Sequence, residues 1–112
     1  MCGIFSFILK RPLKNKDILI GREGKKLLKH RGPDSHGEWY DKKKGIYIGH
    51  TRLSIIDLSS NGNQPMINNK HVLAYNGEIY NFLEIKRKLE LKGIKFRSNS
   101  DTEVLLKYWQ TF

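Results

Sequence analysis

The residue with the clearest chemical potential is Cys2, which directly follows the initiator methionine. Aminopeptidases remove a methionine that precedes a small side chain, and its removal would place an α-amine beside the Cys2 thiol. Because such an amine titrates at roughly pH 7.7–8.0, its neutral form can accept the thiol proton at physiological pH. Cys2 is therefore a candidate N-terminal nucleophile. The alternative is a buried, small apolar side chain in an accidental position.

Three further positions could bind a small polar ligand, and each has an ordinary structural alternative. Arg52 carries a planar guanidinium that suits a carboxylate, although a lone arginine is more often a surface charge. Gly77 lets the backbone approach a ligand closely, although Asn76-Gly77 also describes a plain hairpin turn. Asp101 falls in the first turn of a predicted helix, where the helix dipole favours an acidic residue whatever else it does.

The sequence of the first half of the chain predicts mostly β-strands, with one helix between them. Residues 2–9 are largely apolar, β-branched or aromatic, which is typical of a strand buried on both faces. A helical signal follows, beginning near Asp17 and ending around Gly32. Residues 38–40 and 45–56 then predict two strands joined by a polar hairpin.

The second half predicts a short strand and two helices. Residues 71–75 form the strand, which ends at Asn76-Gly77, a pair suited to a sharp turn. A helix that ends at Gly93 is predicted from apolar residues at helical spacing, namely Phe82, Ile85 and Leu89. A second helix begins at the capping box of Ser100 and Glu103.

Composition describes one globular domain with room for a single activity, since the chain has 112 residues, 38% of them hydrophobic and 29% charged. A single cysteine excludes an internal disulfide, and the four histidines follow none of the usual zinc spacings, so we expect no metal. No apolar stretch approaches the length of a membrane span, and no signal peptide is evident. These features favour a cytoplasmic protein.

The formal net charge of +10 raises nucleic-acid binding as an alternative. The lysines are scattered, however, and lack the surrounding pattern of a known nucleic-acid-binding motif. A lysine-rich solvated surface is the simpler interpretation.

Six segments, in order along the chain, resemble the class II glutamine amidotransferases, which use an N-terminal cysteine nucleophile. Two of them, Arg-Gly-Pro-Asp and Arg-Leu-Ser-Ile-Ile-Asp, resemble asparagine synthetases in particular. Together the segments extend over nearly the whole sequence. They are Met1-Cys2-Gly3-Ile4-Phe5, Arg31-Gly32-Pro33-Asp34, the run from His50 to Leu58, Gln64-Pro65, the run from Asn76 to Asn81, and Ser100-Asp101-Thr102-Glu103.

The resemblance implies a glutaminase in which Cys2 attacks the side-chain amide of glutamine, forms a glutamyl thioester and releases ammonia. Asn76 and the backbone N–H of Gly77 would form the oxyanion hole. The implied glutamine-binding residues are Arg52, Leu53, Ser54, Ile55, Ile56, Asn76, Gly77, Glu78 and Asp101.

Within that set, the resemblance assigns the two charged ends of the amino acid to different residues. Arg52 would hold the α-carboxylate, whereas Asp101, supported by Glu78, would hold the α-ammonium group. Residues 31–34 would form a loop near the site without a chemical role. His50 is interpreted as a packed residue, because a mechanism whose base is the α-amine does not need it.

For the fold, the resemblance implies an α+β protein of the N-terminal nucleophile hydrolase type, an αββα sandwich that is incomplete within residues 1–112. The last predicted helix has no closing Gly, Asn or Pro before Phe112, which favours a chain cut from a longer one. We expect residues 1–112 to be the N-terminal part of the amidotransferase domain, with the C-terminal synthetase domain absent.

The partners implied are L-glutamine and a synthetase domain in cis or in trans, with a homodimer as a possible form of the full-length enzyme. That separate domain would use ATP and Mg²⁺ to amidate aspartate to asparagine, whereas this part needs no cofactor. Aspartate is the default acceptor of the ammonia, and another acid is the alternative. Two other hypotheses stay open: a catalytically silent remnant that binds a partner, and a basic nucleic-acid-binding module.

Overall fold

A computed structural model describes residues 2–112, so the predicted removal of Met1 lies outside the described residues. Within residues 2–112 the structure has five strands, three α-helices and two short 3₁₀ helices. In chain order these are β1 (Gly3–Ile8), α1 (Asn15–Lys26), a 3₁₀ helix (Lys29–Arg31), β2 (Ser35–Asp41), β3 (Ile46–Arg52), a second 3₁₀ helix (Ser60–Gly62), β4 (Met66–Ile67), β5 (Val72–Leu73), α2 (Phe82–Leu91) and α3 (Asp101–Thr111).

The larger sheet has three antiparallel strands in the order β1-β3-β2, so β3 is its centre. The predicted hairpin joins β2 to β3. Asp41 accepts a hydrogen bond from the Lys44 N–H at 3.0 Å, and Gly45 adopts a φ of 71° that favours glycine. The second sheet is the antiparallel pair β4-β5. The molecule is thus an α+β domain with two antiparallel sheets.

One face of the three-stranded sheet packs against α1. Tyr47 of β3 is fully buried there and stacks on Phe7 of β1, with ring centroids 5.4 Å apart. Gly21 and Gly24 of α1 lie directly over aromatic rings of the sheet: a Cβ on Gly21 would lie 2.6 Å from the Tyr47 ring. The helix therefore approaches the sheet through glycines, which leave the space that the rings occupy.

The opposite face of this sheet is only partly covered. Near Gly37 of β2, the backbone of Gln64 and the ring of Pro65 come so close that a Cβ at this glycine would collide with them. Farther along the sheet, Ile8 is 75% exposed. The expectation that the first strand is buried on both faces is wrong for this reason: β1 alternates between covered and open residues.

The prediction for the first helix is also partly wrong. α1 ends at Lys26, and a separate 3₁₀ turn follows at Lys29–Arg31. Leu27 is the cap residue after the helix and is 78% exposed, so it does not mark the buried face. That face consists of Ile18, Gly21 and Gly24, at the three-residue spacing that keeps side chains on one side of a helix.

The last two helices follow the sequence prediction closely. α2 begins at Phe82 and is followed by Gly93 at a φ of 85°, and Lys88 pairs with Glu84 at 2.8 Å. α3 begins after Ser100, whose hydroxyl accepts a hydrogen bond from the Thr102 N–H. α3 packs against α2 and also contacts β4, which joins the helices to the second sheet. Among residues 2–112, none of the helices has the length and apolar character needed to cross a bilayer.

Candidate active site

Cys2 lies just before β1, where the ladder to β3 brings it beside the end of that strand. Its sulfur lies 3.4 Å from the backbone nitrogen of Leu53 and 3.8 Å from the carbonyl oxygen of the same residue. The carbonyl oxygen of Cys2 accepts a hydrogen bond from Nε of Arg31 at 3.1 Å. The side chain is partly exposed, so the thiol is both held in position and accessible.

A cavity of about 60 Å³ adjoins Cys2 through Leu53. Seven of the predicted glutamine-binding residues line it: Arg52, Leu53, Ile55, Ile56, Gly77, Glu78 and Asp101. They come from three separate regions of the chain, namely the end of β3, the turn after β5 and the start of α3. The fold therefore gathers distant segments around one small polar space.

Two predicted site residues lie elsewhere. Asn76 is exposed beside Gly77. Ser54 lies in a neighbouring groove, where its backbone N–H donates to the Asp34 carboxylate at 2.6 Å. The 31–34 loop is thus near the cavity, and it contacts both Cys2 and the segment that follows Arg52.

Arg52 is the last residue of β3 and is buried, with 6% of its surface exposed. Its guanidinium donates to the carbonyl oxygen of Ser59 at 2.7 Å and to Oδ1 of Asn63 at 2.9 Å, and it also donates to the carbonyl oxygen of Asp57. These acceptors leave part of its five-donor fork free, since a guanidinium carries five N–H groups. Arg52 therefore lines the cavity and, through these hydrogen bonds, also holds the 57–63 loop in place.

Asp57 joins this loop to the segment that precedes α3. Its carboxylate accepts from the N–H and the hydroxyl of Ser59 and, 42 residues away, from the N–H of Asn99 at 2.8 Å. The hydrogen bond from the Ser59 hydroxyl, followed by the one from the Asn99 N–H, lowers the pKa of Asp57. The carboxylate therefore stays ionised and links two walls of the cavity.

Asp101 opens α3 and is buried, with 6% exposure. Its Oδ2 accepts from the Ile79 N–H at 3.0 Å, a bond that joins the start of α3 to the segment after Gly77. Partial burial raises the pKa of Tyr75, and the negative charges of Asp101 and Glu78 raise it further. This end of the cavity is therefore electronegative, whereas Arg52 contributes positive charge at another point of its wall.

Ser100 and Glu103 form the predicted helix start with one difference in detail. The Glu103 carboxylate reaches farther back than in a standard capping box and accepts from the N–H groups of Arg97 and Ser98. The hydroxyl of Ser98 also donates to it, at 2.6 Å. Glu103 thereby stabilises the turn that precedes α3, and this turn places Asp101 at the cavity.

The residue before the Asn76-Gly77 turn is held by two buried side chains. The Tyr75 N–H donates to Oε1 of Gln64 at 2.5 Å, and the Tyr75 carbonyl oxygen lies 3.3 Å from Nε2 of His50. His50 is completely buried, which lowers its pKa, and it therefore remains neutral. This agrees with the interpretation of His50 as a packed residue.

Sequence reasoning missed several residues that shape the cavity, among them Asp57, Gln64, Tyr75 and Thr102. Asp57 and Gln64 lie in two of the segments that resemble the amidotransferases, and this position could have marked them as candidate site residues. Their hydrogen-bond partners, however, are far away along the chain, so no local pattern reveals what they hold. Among residues 2–112, no group of three or more His, Cys, Asp or Glu side chains is placed to hold a metal ion.

Comparison with known proteins gives a family match over the full chain. The profile of the glutamine amidotransferase domain family matches residues 1–112. Glutamine-hydrolyzing asparagine synthetase 1 of Bacillus subtilis is 42% identical over 111 residues, covering 95% of this chain and 17% of that protein.

Two further relatives cover the whole of this chain. Glutamine-hydrolyzing asparagine synthetase 1 of Arabidopsis thaliana is 35% identical over 114 residues, which are 19% of its length. Amidase chry2 of Gibberella zeae is 34% identical over 125 residues, which are 18% of its length. The chain thus spans less than a fifth of the length of these curated relatives.

Proposed function

This chain belongs to the glutamine amidotransferase domain family, and from that premise we propose that it hydrolyses glutamine with Cys2 as the nucleophile. The observation that carries the proposal is the cavity beside Cys2, whose wall includes a buried arginine and a buried aspartate. A free amino acid carries one carboxylate and one ammonium group, so it needs opposite charges of this kind. Glutamine offers in addition a side-chain amide for the nucleophile.

In the proposed reaction, the neutral α-amine of Cys2 accepts the thiol proton after Met1 has been removed. The thiolate attacks the amide carbon, and Asn76 with the N–H of Gly77 stabilises the oxyanion. The proton taken up by the α-amine passes to the departing nitrogen, so ammonia is expelled and a glutamyl thioester remains. Water then hydrolyses the thioester to give glutamate and the free thiol. The contact between the Leu53 N–H and the sulfur, at 3.4 Å, supports this scheme because it holds the Cys2 side chain beside a residue that lines the cavity.

The proposed binding mode orients the substrate by its two charges. Arg52 holds the α-carboxylate with the N–H groups that its loop contacts leave free, and the backbone of residues 53–56 adds further contacts. Asp101 holds the α-ammonium group through Oδ1, since its Oδ2 accepts from Ile79, and Glu78 adds negative charge at the same end. The side chain of glutamine then extends toward Leu53 and Cys2.

For the fold, we propose the N-terminal nucleophile hydrolase type, an αββα sandwich represented here in part. The packing of α1 on the three-stranded sheet supports it, as do the β4-β5 pair on the other side and the contact of α3 with β4. The open sheet face around Ile8 is consistent with further structure in the complete fold.

For the whole protein, we propose that the ammonia is used by a synthetase domain in cis or in trans, with aspartate as the acceptor and a homodimer as the assembly. The names of the Bacillus and Arabidopsis relatives, both asparagine synthetases, support aspartate as the acceptor. ATP and Mg²⁺ belong to that domain in this proposal, and no residue of this chain is assigned to them. The amidase relative is the reason to test acceptors other than aspartate as well.

The test is glutamate release by the purified 112-residue chain, measured beside Cys2→Ala, together with the intact mass of the protein. We expect a mass without Met1 and glutamate production that disappears in the variant. Glutamate release that is equal in both proteins would overturn the assignment of the nucleophile. No release by a folded chain that lacks Met1 would instead favour the catalytically silent alternative.

A further inference from the structure

Gln64 is a buried residue whose two polar atoms are both engaged. It is 7% exposed, and its side chain spans two segments that are distant in sequence. Oε1 accepts from the Tyr75 N–H at 2.5 Å, and Nε2 donates to Oγ1 of Thr102 at 3.1 Å. Because a backbone N–H can only donate, the bond to Tyr75 fixes the amide orientation and turns the NH₂ group toward Thr102.

The two residues that Gln64 contacts are neighbours of site residues. Tyr75 immediately precedes Asn76, and Thr102 immediately follows Asp101. A second bond runs in parallel, from the Ile79 N–H to Oδ2 of Asp101. The turn of residues 76–78 is therefore tied to the first turn of α3 on both sides, before the turn through Gln64 and after it through Ile79.

From this arrangement we infer that Gln64 is a positioning residue that holds the Asn76-Gly77 turn and the Asp101 end of α3 as one unit. The inference rests on the proposed function, because it assigns the turn to the oxyanion and Asp101 to the ammonium group of glutamine. Gln64 has no chemical step of its own. It fixes the distance between the place where the amino-acid end is bound and the place where the amide reacts, and a shift of about 1 Å there can cost about 100-fold in rate.

His50 cannot supply the same link. It contacts the carbonyl oxygen of the same residue, Tyr75, at 3.3 Å, but it belongs to β3. His50 therefore fixes the position of the turn relative to the three-stranded sheet. Gln64 fixes the position of the turn relative to α3.

The test uses a nearly isosteric substitution, Gln64→Met, which keeps the side-chain length and removes both hydrogen bonds. The matched control is Gln110→Met, since Gln110 is exposed on α3. Two probes of Cys2 are compared on the 112-residue chain: a chloroketone analogue of glutamine, which must use the binding site, and iodoacetamide, which needs only an accessible thiol. We expect Gln64→Met to slow labelling by the analogue about 10- to 100-fold, with iodoacetamide labelling within about two-fold of the parent chain.

A second variant, Thr102→Val, removes the α3 end of the link alone and keeps the shape of the side chain. We expect it to slow labelling by the analogue about five-fold, in keeping with the loss of one hydrogen bond. Combined with Gln64→Met it should add almost nothing, because both changes break the same connection. Additive effects of the two substitutions would overturn the inference.

The outcomes separate this inference from the proposed function. If the analogue labels the parent chain and Gln64→Met at the same rate, the positioning role is wrong and the glutaminase assignment stands. Equal slowing of both reagents in Gln64→Met would also refute the role, because it would report a general distortion around Cys2. If the analogue fails to label Cys2 of the parent chain while iodoacetamide succeeds, both proposals are overturned.

Discussion

The backbone N–H of Leu53 lies 3.4 Å from the sulfur of Cys2, so the residue that follows Arg52 contacts the proposed nucleophile directly. A single stretch at the end of β3 thereby carries both the arginine assigned to the substrate carboxylate and a donor to the thiol. A movement of this stretch would therefore shift Arg52 and the contact to the Cys2 sulfur together.

The first prediction concerns Cys2. Replacing it with serine keeps a hydroxyl at the same position, but serine is a much weaker nucleophile than a thiolate at neutral pH. We expect glutamate release to fall at least about 1,000-fold in Cys2→Ser, with an unchanged far-UV circular dichroism spectrum. Activity within ten-fold of the parent chain would mean that another group attacks the amide.

The second prediction concerns Asn76. Asn76 is exposed, so removal of its side chain leaves the buried structure intact. We expect Asn76→Ala to lower kcat for glutamine hydrolysis about 100- to 1,000-fold with a nearly unchanged KM, as for the loss of one oxyanion donor. Asn69→Ala is a suitable control, because Asn69 is exposed in the turn between β4 and β5. An increase in KM alone would point to a role in substrate binding instead.

The third prediction concerns Arg52, which lines the cavity and also donates hydrogen bonds to the 57–63 loop. Arg52→Lys keeps the charge and loses the planar fork that reaches Ser59 and Asn63. We expect KM for glutamine to rise about ten-fold or more, and the 57–63 loop to become more accessible to proteases. The control is Arg87→Lys on the exposed side of α2, for which we expect no change. A normal KM in Arg52→Lys would show that the arginine serves the loop alone.

The fourth prediction is a pH effect on folding. The hydrogen bond from Arg11, followed by one from the Lys14 N–H, lowers the pKa of Asp17 to about 2, whereas an unfolded aspartate titrates near about 3.9. The folded state thus holds the ionised form preferentially, so this contribution to stability is complete above about pH 4 and is lost as the pH falls toward 2.

The measurement is the urea midpoint as a function of pH. We expect it to fall between about pH 4 and pH 2 in the parent chain and to fall less steeply in Asp17→Asn. Glu23→Gln is the control, because Glu23 pairs with Lys26 on the exposed surface, where an ion pair contributes little. Identical slopes for the parent chain and Asp17→Asn would contradict the prediction.

Local chemistry was sufficient to predict the elements whose signals lie within a few residues. The β2-β3 hairpin has its Asp41 and Gly45 turn, α2 has its closing Gly93, and α3 has Ser100 as its cap. α1 was harder to predict, since its buried face is made by glycines whose purpose is apparent only once Tyr47 and Phe5 lie beneath them. Gly24 contacts Phe5 and Gly21 contacts Tyr47, which are 19 and 26 positions away along the chain. Contacts at such separations produce no hydrophobic periodicity in either segment.

The candidate site shows the same division. Arg52, Gly77, Glu78 and Asp101 were predicted from the resemblance, and the structure brings them around one cavity, while their catalytic roles stay predictions. Asp57 and Gln64 could not be interpreted from sequence, because their partners Asn99 and Thr102 lie 42 and 38 residues away. The sequence therefore indicates the residues proposed to contact a ligand more readily than the residues that hold them in position.

The placement of Arg52 and Asp101 on one cavity wall, with Cys2 beside it, has a stereochemical consequence. Two charged anchors and one reacting atom are three fixed points, and three points around a tetrahedral Cα distinguish its two mirror-image forms. In the proposed binding mode, with the carboxylate on Arg52 and the ammonium group on Asp101, only one enantiomer of glutamine would direct its amide at the sulfur, so handedness would be selected by the relative positions of two charges and one sulfur atom.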